Sequence, residues 1–227
     1  MTKFLIFDAS SLISLSMTGL TSYLRDLKKV SDVKFIITKE VKKEAIDTPL
    51  TIPRFELEGI RLNELLEEKI LEMPSILGIS DDAITKKTQE ILDLANTLFV
   101  GTQGKEIHLI DLGESSCLAL NKILEEKKIK SFIAIDERTT RSLTETPKDL
   151  KRFLEEKLHT KINVNQKSVD FFKNFKFIRS TELIYASWKK GILKFKDKNR
   201  LQALFYALKY KGCSISQEDI QTMVASV

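Results

Sequence analysis

The predicted fold centres on Phe4-Leu-Ile-Phe-Asp8-Ala-Ser-Ser-Leu-Ile-Ser-Leu15, in which an uncharged apolar run leads directly into a lone carboxylate followed by hydroxyl side chains. Residues 3–7 are typical of a central strand in a parallel sheet, where both faces are buried. The serines after Asp8 predict the cap of a following helix. In an open α/β sheet ligands bind at such a turn, so Asp8 is a candidate site residue. The structural alternative is that Asp8 serves only as a helix cap.

Length and composition indicate a globular protein rather than a disordered chain. The 227 residues, 42% of them hydrophobic, are enough to bury a substantial core. No apolar run approaches the roughly 18 residues that span a bilayer, and the N-terminus lacks a secretory leader pattern. Cys117 and Cys213 lie too far apart for a metal-ligand motif or a disulfide framework. We therefore expect a cytoplasmic protein without membrane association. It would be a single domain over residues 1–227, with a basic C-terminal elaboration from about residue 142 to residue 227.

The net charge of +5 hides an asymmetry along the chain. From Lys148 to Lys211 there are 17 Lys and Arg against 6 Asp and Glu, a balance of +11, and the remainder carries 20 against 26, a balance of −6. An acidic part beside a basic part suits a metal-dependent enzyme that acts on a polyanion, with carboxylates for cations and lysines for phosphates. The alternative is an ordinary solvated surface rich in lysine.

A second apolar run ends in a carboxylate as the first one does. It is Ser131-Phe-Ile-Ala-Ile-Asp136, and a helix-prone polar stretch follows it. Adjacent strands lie about 4.8 Å apart, so two neighbouring parallel strands of this kind would bring Asp8 and Asp136 together. Buried like charges repel each other. A cation between them is the least costly way to keep both ionised.

Two glutamates are further candidates, each with a structural alternative. Glu44 borders the apolar face of a helix and is otherwise a solvated surface residue. Glu114 opens a helix, where the dipole alone would stabilise it by about 0.3 to 1 kcal/mol. His108 lies in an apolar stretch and is expected to be a core residue without a catalytic role. Oxygen ligands such as those of Asp8 and Asp136, without histidine or cysteine, favour Mg²⁺ or Mn²⁺ over zinc.

Four blocks in chain order resemble the PIN domain family of metal-dependent ribonucleases. They are Phe7-Asp-Ala-Ser-Ser-Leu-Ile13, Val41-Lys-Lys-Glu44-Ala-Ile, Leu112-Gly-Glu114-Ser-Ser-Cys-Leu-Ala-Leu120 and Ile133-Ala-Ile-Asp136-Glu-Arg-Thr-Thr-Arg141. The stretch Arg179-Ser-Thr-Glu-Leu-Ile-Tyr-Ala-Ser-Trp-Lys-Lys-Gly-Ile-Leu193 is similar to the family's late block, in which a Thr precedes a helix ended by a Gly. The likeness extends from residue 3 to about residue 193.

The resemblance implies a fold and a set of roles. The fold would be a three-layer α/β sandwich with a central, mainly parallel sheet and helical elaborations. Asp8 and Asp136 would ligate the principal Mg²⁺ or Mn²⁺ ion, and Glu114 would join them as a metal ligand. Glu44 would complete the catalytic acidic site and help to position the attacking water. The family often has an aspartate at the third acidic position, so Asp111 is an alternative to Glu114.

The resemblance also bears on supporting residues and partners. Ser10 and Thr181 match hydroxyl positions near the family's site. Toxin members usually occur with an antitoxin, but residues 45–113 and 142–178 are longer than in compact toxins, which indicates a larger member. A homodimer and a protein inhibitor or antitoxin are partners that one chain leaves open.

Together these features predict a Mg²⁺- or Mn²⁺-dependent endoribonuclease that hydrolyses RNA phosphodiester bonds. The first alternative is a PIN-fold RNA-binding or scaffold protein with weak catalysis. A second, a phosphatase or phosphoacceptor with Asp8 as nucleophile, is disfavoured because no second aspartate follows two residues later.

The basic segment predicts the RNA-binding surface. Between Lys148 and Lys211 lie 17 of the 37 basic residues and 11 of the 18 aromatic ones. Lysines neutralise phosphates and aromatic rings stack on unpaired bases, although the rings equally suit a core or a dimer contact. The candidate RNA-binding residues are Arg138, Arg141, Lys189, Lys190, Lys194, Lys196 and Lys198.

Overall fold

A five-stranded parallel sheet forms the centre of the computed structural model, which describes residues 3–101, 104 and 107–226, the side chains of residues 166 and 167 excepted. In chain order the strands of these residues are β1 (Lys3–Phe7), β2 (Val33–Ile36), β3 (Leu71–Glu72), β4 (Phe99–Gly101), β5 (Ser131–Ala134), β6 (Ile162–Val164) and β7 (Phe177–Ile178). The sheet has the order β3-β2-β1-β5-β7, and every pairing in it is parallel. A separate antiparallel pair joins β4 to β6. The predicted α/β fold with a mainly parallel sheet is confirmed.

Helices flank this sheet as a three-layer α/β sandwich requires. In the described part of the chain they are α1 (Ala9–Met17), α2 (Thr21–Val30), α3 (Lys39–Lys42), α4 (Glu56–Glu67), α5 (Asp81–Asn96), α6 (Leu112–Glu126), α7 (Arg138–Glu145), α8 (Pro147–Leu158), α9 (Gln166–Phe172), α10 (Ser180–Lys189), α11 (Lys198–Tyr210) and α12 (Gln217–Ala225). A π-helical turn over Lys43–Asp47 continues α3, and short 3-10 turns occupy Pro49–Thr51 and Pro74–Leu77.

Strand β1 lies in the middle of the sheet, and the order of the strands reverses at its carboxyl end. Its four residues from Phe4 to Phe7 are buried, as expected for a strand covered on both faces. Its neighbours are β2 on one side and β5 on the other, with Phe7 opposite Ala134. From β1 the chain continues to β2 on one side of the sheet and later forms β5 on the other side. Such a reversal of strand order leaves a crevice at the carboxyl ends of the strands, where open α/β sheets bind ligands. Asp8 is the first residue in that crevice.

The region predicted as a basic elaboration contributes to the central fold. Its strand β7 pairs with β5 and completes one edge of the sheet. Phe172 and Phe175 are buried in it and pack against Phe171 and Phe177, so these rings belong to the core rather than to an RNA-binding surface. No helix among the described residues combines the length and the apolar character needed to cross a bilayer.

Candidate active site

Asp8 is a helix cap and also lies at the buried carboxyl end of β1, where the sequence predicts a site residue. It is the N-cap of α1, and its Oδ2 atom accepts hydrogen bonds from the main-chain N–H and the hydroxyl of Ser10, at 3.0 and 2.5 Å. The side chain is only 3% exposed at the end of β1. Burial raises the pKa of Asp8, and the nearby charge of Asp136 raises it further. A helix cap does not need a second acid nearby, and the charge of Asp136 therefore distinguishes Asp8 from an ordinary cap.

Asp136 is fully buried at the end of the neighbouring strand. Its main-chain N–H donates to the hydroxyl oxygen of Ser10 at 3.1 Å, so Ser10 links the two aspartates. Its Oδ1 atom accepts from the main-chain N–H of Ser180 at 2.8 Å, at the start of α10. Its Oδ2 atom is buried and forms no hydrogen bond of standard geometry with the described residues. The thiol of Cys213 lies close to Asp136, and its pKa is raised to about 12 by burial and then by the charge of Asp136. A carboxylate oxygen that is buried without a hydrogen bond is costly unless something else, such as a cation, binds it.

Glu114 lies close to Asp8 at the first turn of α6. Its Oε2 atom accepts from the main-chain N–H of Asp111 at 3.1 Å, which forms one half of a capping box. Burial raises the pKa of Glu114 to about 8, with further contributions from the charges of Asp8 and Glu137. The helix-dipole alternative would stabilise an ionised glutamate and lower its pKa, so capping does not account for this environment.

Glu44 reaches the same place from the π-helical turn after α3. The residue is exposed, yet its carboxylate lies over the backbone of Gly113, where an added Cβ would be 2.6 Å from Oε2 of Glu44. The same Cβ would be 3.9 Å from Oδ1 of Asp8. Loss of solvation raises the pKa of Glu44, and the charges of Asp8 and Asp111 raise it further. The glycine at position 113 thus leaves room for the glutamate to approach the aspartate.

The four predicted acids are therefore gathered around Asp8, and their chemistry suits a hard divalent cation. The donors are carboxylate oxygens, and one oxygen of Asp136 has no other partner. The acids do not yet meet at one point. Within residues 3–101, 104 and 107–226, no three His, Cys, Asp or Glu side chains form a group that could hold a metal ion.

The other predicted supporting residues differ in their proximity to this cluster. Thr181 is fully buried beside it, but its hydroxyl contacts Sγ of Cys213 at 3.7 Å. The side chain of Asp111 is 82% exposed and lies 2.8 Å from Nε2 of His108, so it forms the outer lip of the site. His108 itself is 65% exposed. The expectation that His108 is a core residue is wrong: Leu109 and Ile110, which follow it, are buried, whereas the His108 side chain faces outwards beside Asp111.

The predicted RNA-binding residues fall into two groups. Arg138 is exposed in the first turn of α7, near the carboxylates, and its guanidinium lies 5.3 Å from the centre of the Phe153 ring. Arg141 is half-buried and donates to the main-chain oxygen of Ser214 at 3.3 Å and to Glu145 at 3.2 Å. These contacts give Arg141 a structural role.

The predicted lysines begin at the other end of α10 from the carboxylates, near the end of the sheet where β1 starts. Helix α10 starts beside Asp136 and ends at Lys189, and ten helical residues span about 15 Å. Lys190 lines a cavity of about 260 Å³ together with Lys3, at the start of β1. The remaining lysines of the set are exposed and follow Lys190 along the chain: Lys194, Lys196 and Lys198. The structure does not bring these lysines to the carboxylates.

Sequence reasoning missed a cleft of about 860 Å³ beside the carboxylates. Its lining includes Lys39 and Lys43 on one wall and Gly113 and Glu44 where it meets the acidic cluster. The spacing of the two lysines was a usable signal, because residues four apart share one face of a helix. The other wall of the cleft was not predicted, because the apolar sequence around His108 indicated a core residue.

Fold and site together define an α/β protein with an acidic cluster at the carboxyl end of its central strand. No protein-family model, no curated protein and no solved structure matches this chain.

Proposed function

We propose that this chain is a Mg²⁺- or Mn²⁺-dependent endoribonuclease of the PIN type. The observation that carries the proposal is the gathering of acids around Asp8 at the carboxyl end of the central strand. Burial, and after it the charges of neighbouring acids, raises the pKa values of Asp8, Glu44 and Glu114. Perturbed acids in a cleft are typical of functional sites. The unpartnered oxygen of Asp136 in the same cluster adds to this support.

Each acid has a role that its own contacts favour. Asp8, Glu114 and Asp136 would hold the cation, which when bound supplies a nucleophilic water and neutralises charge on the phosphate. Ser10 orients Asp8, and the N–H of Ser180 orients Asp136, so both aspartates are fixed before substrate arrives. Glu44, at the rim and with a raised pKa, is placed to accept a proton from the attacking water.

RNA is the proposed partner, and the cytoplasm is the proposed location. The buried free thiols of Cys117 and Cys213 suit a reducing compartment. Partnership with a second copy, or with an inhibitor or antitoxin, stays a prediction of the resemblance.

One observation favours the alternative, an RNA-binding or scaffold protein with weak catalysis. It is the separation of the acids, since no three of those described form a ready metal-binding group. A catalytic protein must close that separation when a cation binds, and a scaffold need not do so.

The deciding experiment is cleavage of end-labelled single-stranded and structured RNA by protein stripped of metal, with and without added Mg²⁺ or Mn²⁺. We expect cleavage that requires the added ion. Asp8→Asn and Asp136→Asn should each reduce it by more than the roughly 10- to 100-fold typical of a lost outer-shell contact.

Asp82→Asn is the matched control, because Asp82 is an exposed acid in the first turn of α5. It should cleave at the wild-type rate. Wild-type rates in both Asp8→Asn and Asp136→Asn would remove the nuclease from this site. RNA binding by the wild type without cleavage in either metal would favour the scaffold.

A further inference from the structure

The cleft beside the carboxylates has two chemically different walls. Lys39 and Lys43 provide ammonium groups on one wall, from α3 and the π-helical turn after it. The imidazole of His108 and the side chain of Leu112, which is 54% exposed, provide flat and apolar surface on the other. Glu44 and Gly113 belong to both the cleft and the acidic cluster, so a ligand in the cleft would touch the proposed active site.

The two lysines are available to an anion. Both are exposed, and neither forms a salt bridge with any residue that the structure describes. Lys42, between them, is paired with Asp47 at 2.5 Å, which neutralises one of the acids of the cleft.

Glu40, Glu44 and Asp111 also line the cleft, and Asp111 lies 2.8 Å from Nε2 of His108. Lys39 and Lys43 are therefore local positive groups in a cleft of mixed charge. Leu112 is more than half exposed and lines the same cleft as the two lysines, so all three side chains can contact a ligand there.

We propose that this cleft binds single-stranded RNA next to the scissile bond, with backbone phosphates on Lys39 and Lys43 and an unpaired base against His108 and Leu112. The inference rests on the proposed function, which supplies RNA as the substrate. Lysines bind phosphates as point charges without reading sequence, and unpaired bases stack on flat side chains. A cleft of about 860 Å³ matches a ligand of drug size, which corresponds to one or two nucleotides and is too small to admit a duplex.

The proposal divides RNA contacts between two places. The cleft would hold one or two nucleotides, and the rest of the RNA would add contacts with the lysines that follow α10, a helix about 15 Å long. Variants at Lys39 and Lys43 therefore report on the cleft, and variants at Lys194, Lys196 and Lys198 report on the distal lysines.

The test uses a fluorescein-labelled hexanucleotide RNA and full-length protein, with Ca²⁺ in place of Mg²⁺, and measures binding by anisotropy across a range of salt. The variant is Lys39→Ala/Lys43→Ala. We expect weaker binding and a salt slope flatter by up to about 1.4 units, because each single-strand phosphate contact contributes about 0.7. Leu112→Ala should weaken binding without changing the slope.

The control is Lys86→Ala/Lys127→Ala, which removes two exposed lysines outside the cleft. It should bind the hexanucleotide as the wild type does. A wild-type slope for Lys39→Ala/Lys43→Ala, equal loss in the control, or no hexanucleotide binding by the wild type would overturn the proposal. Equal binding of a hexamer duplex would overturn its restriction to single strands.

Failure of this inference is distinguishable from failure of the proposed function. Metal-dependent cleavage by the wild type with unchanged kcat/KM in Lys39→Ala/Lys43→Ala would refute the cleft and leave the nuclease intact. Hexanucleotide binding that depends on Lys39 and Lys43, in a protein that cleaves no RNA with any metal, would support the cleft and refute the nuclease.

Discussion

The main-chain N–H of Ser180 donates to Oδ1 of Asp136 at 2.8 Å, while Oδ2 of the same carboxylate is buried and forms no hydrogen bond with the residues that the structure describes. The first contact fixes the side chain. The burial of Oδ2 costs stability, because a buried charged oxygen loses its hydration without compensation. A chain selected only for stability would not keep such a group beside Asp8, so the arrangement favours function over structure.

The Asp136→Asn variant tests whether this cost is real. Asparagine keeps the size of the side chain and an oxygen to accept from Ser180, and it removes one charge that faces Asp8. Without metal we expect its melting temperature to equal or exceed that of the wild type. Added Mn²⁺ should raise the wild-type melting temperature and leave the variant unchanged. Calorimetry measures both values, and a clear drop for the metal-free variant would instead assign Asp136 a structural capping role.

The raised pKa of Glu114 predicts how stability varies with pH in metal-free protein. The folded carboxyl keeps its proton up to about pH 8, whereas the unfolded chain releases it near pH 4.5, so folding takes up a proton between these values. The stabilising contribution is complete below pH 4.5 and is lost as the pH rises towards 8. The free energy of unfolding should fall by up to about 1.4 kcal/mol per pH unit in this window.

Urea denaturation between pH 5 and pH 8 measures this dependence, with Glu114→Gln as the control. Glutamine cannot titrate, so the variant should lose part of the slope and keep what Asp8 and Glu44 contribute in the same direction. A slope of opposite sign, or an identical slope in the variant, would contradict the assigned environment of Glu114.

The glycine at position 113 should be needed for activity and not for folding. A Cβ there would displace the carboxylate of Glu44, a flexible group, so Gly113→Ala should fold with unchanged or slightly higher stability. We expect cleavage and Mn²⁺ affinity to fall by about 10- to 100-fold. Gly78→Ala is the matched control, because Gly78 has a φ of +65°, which an alanine adopts only with strain, and no atom lies within 4 Å of its added Cβ. It should lower the melting temperature and leave Mn²⁺ affinity as it is; the reverse pattern would contradict the site geometry.

The sequence predicted the centre of the sheet because uninterrupted apolar runs mark buried parallel strands. It also predicted that Asp8 and Asp136 lie at the ends of neighbouring strands, which the pairing of β1 with β5 confirms. Strands β3 and β7 have only two residues each, too few for a recognisable pattern. Their places in the sheet depend on tertiary packing rather than on local sequence.

Local sequence patterns did not predict which surface residues lie near the carboxylates. The lysines from Lys189 onwards form an obvious basic run, but the direction of α10 places them at the edge away from Asp136. Composition carries no information about that direction. The cleft at Lys39 and Lys43 depends equally on how α3 packs beside α6, which only the folded chain determines.

The distal lysines still predict a measurable effect on long RNA. Replacement of Lys194, Lys196 and Lys198 together by Ala should weaken binding of a 30-nucleotide single-stranded RNA and flatten its salt dependence by up to about 2.1 units. Mn²⁺ affinity should not change. Filter binding across salt concentrations measures the slope, and an unchanged slope with the long RNA would make these lysines ordinary solvated surface.

The central claim is that Asp8, Glu114 and Asp136 close around a divalent cation. Anomalous diffraction from a crystal soaked in Mn²⁺ tests it most directly, because the anomalous peak locates the ion independently of any activity. The account predicts a peak between Asp8 and Asp136 within about 2.3 Å of carboxylate oxygens, with Oδ2 of Asp136 among the ligands. A well-occupied peak elsewhere, or none among these carboxylates in crystals of protein that cleaves RNA with Mn²⁺, would contradict it.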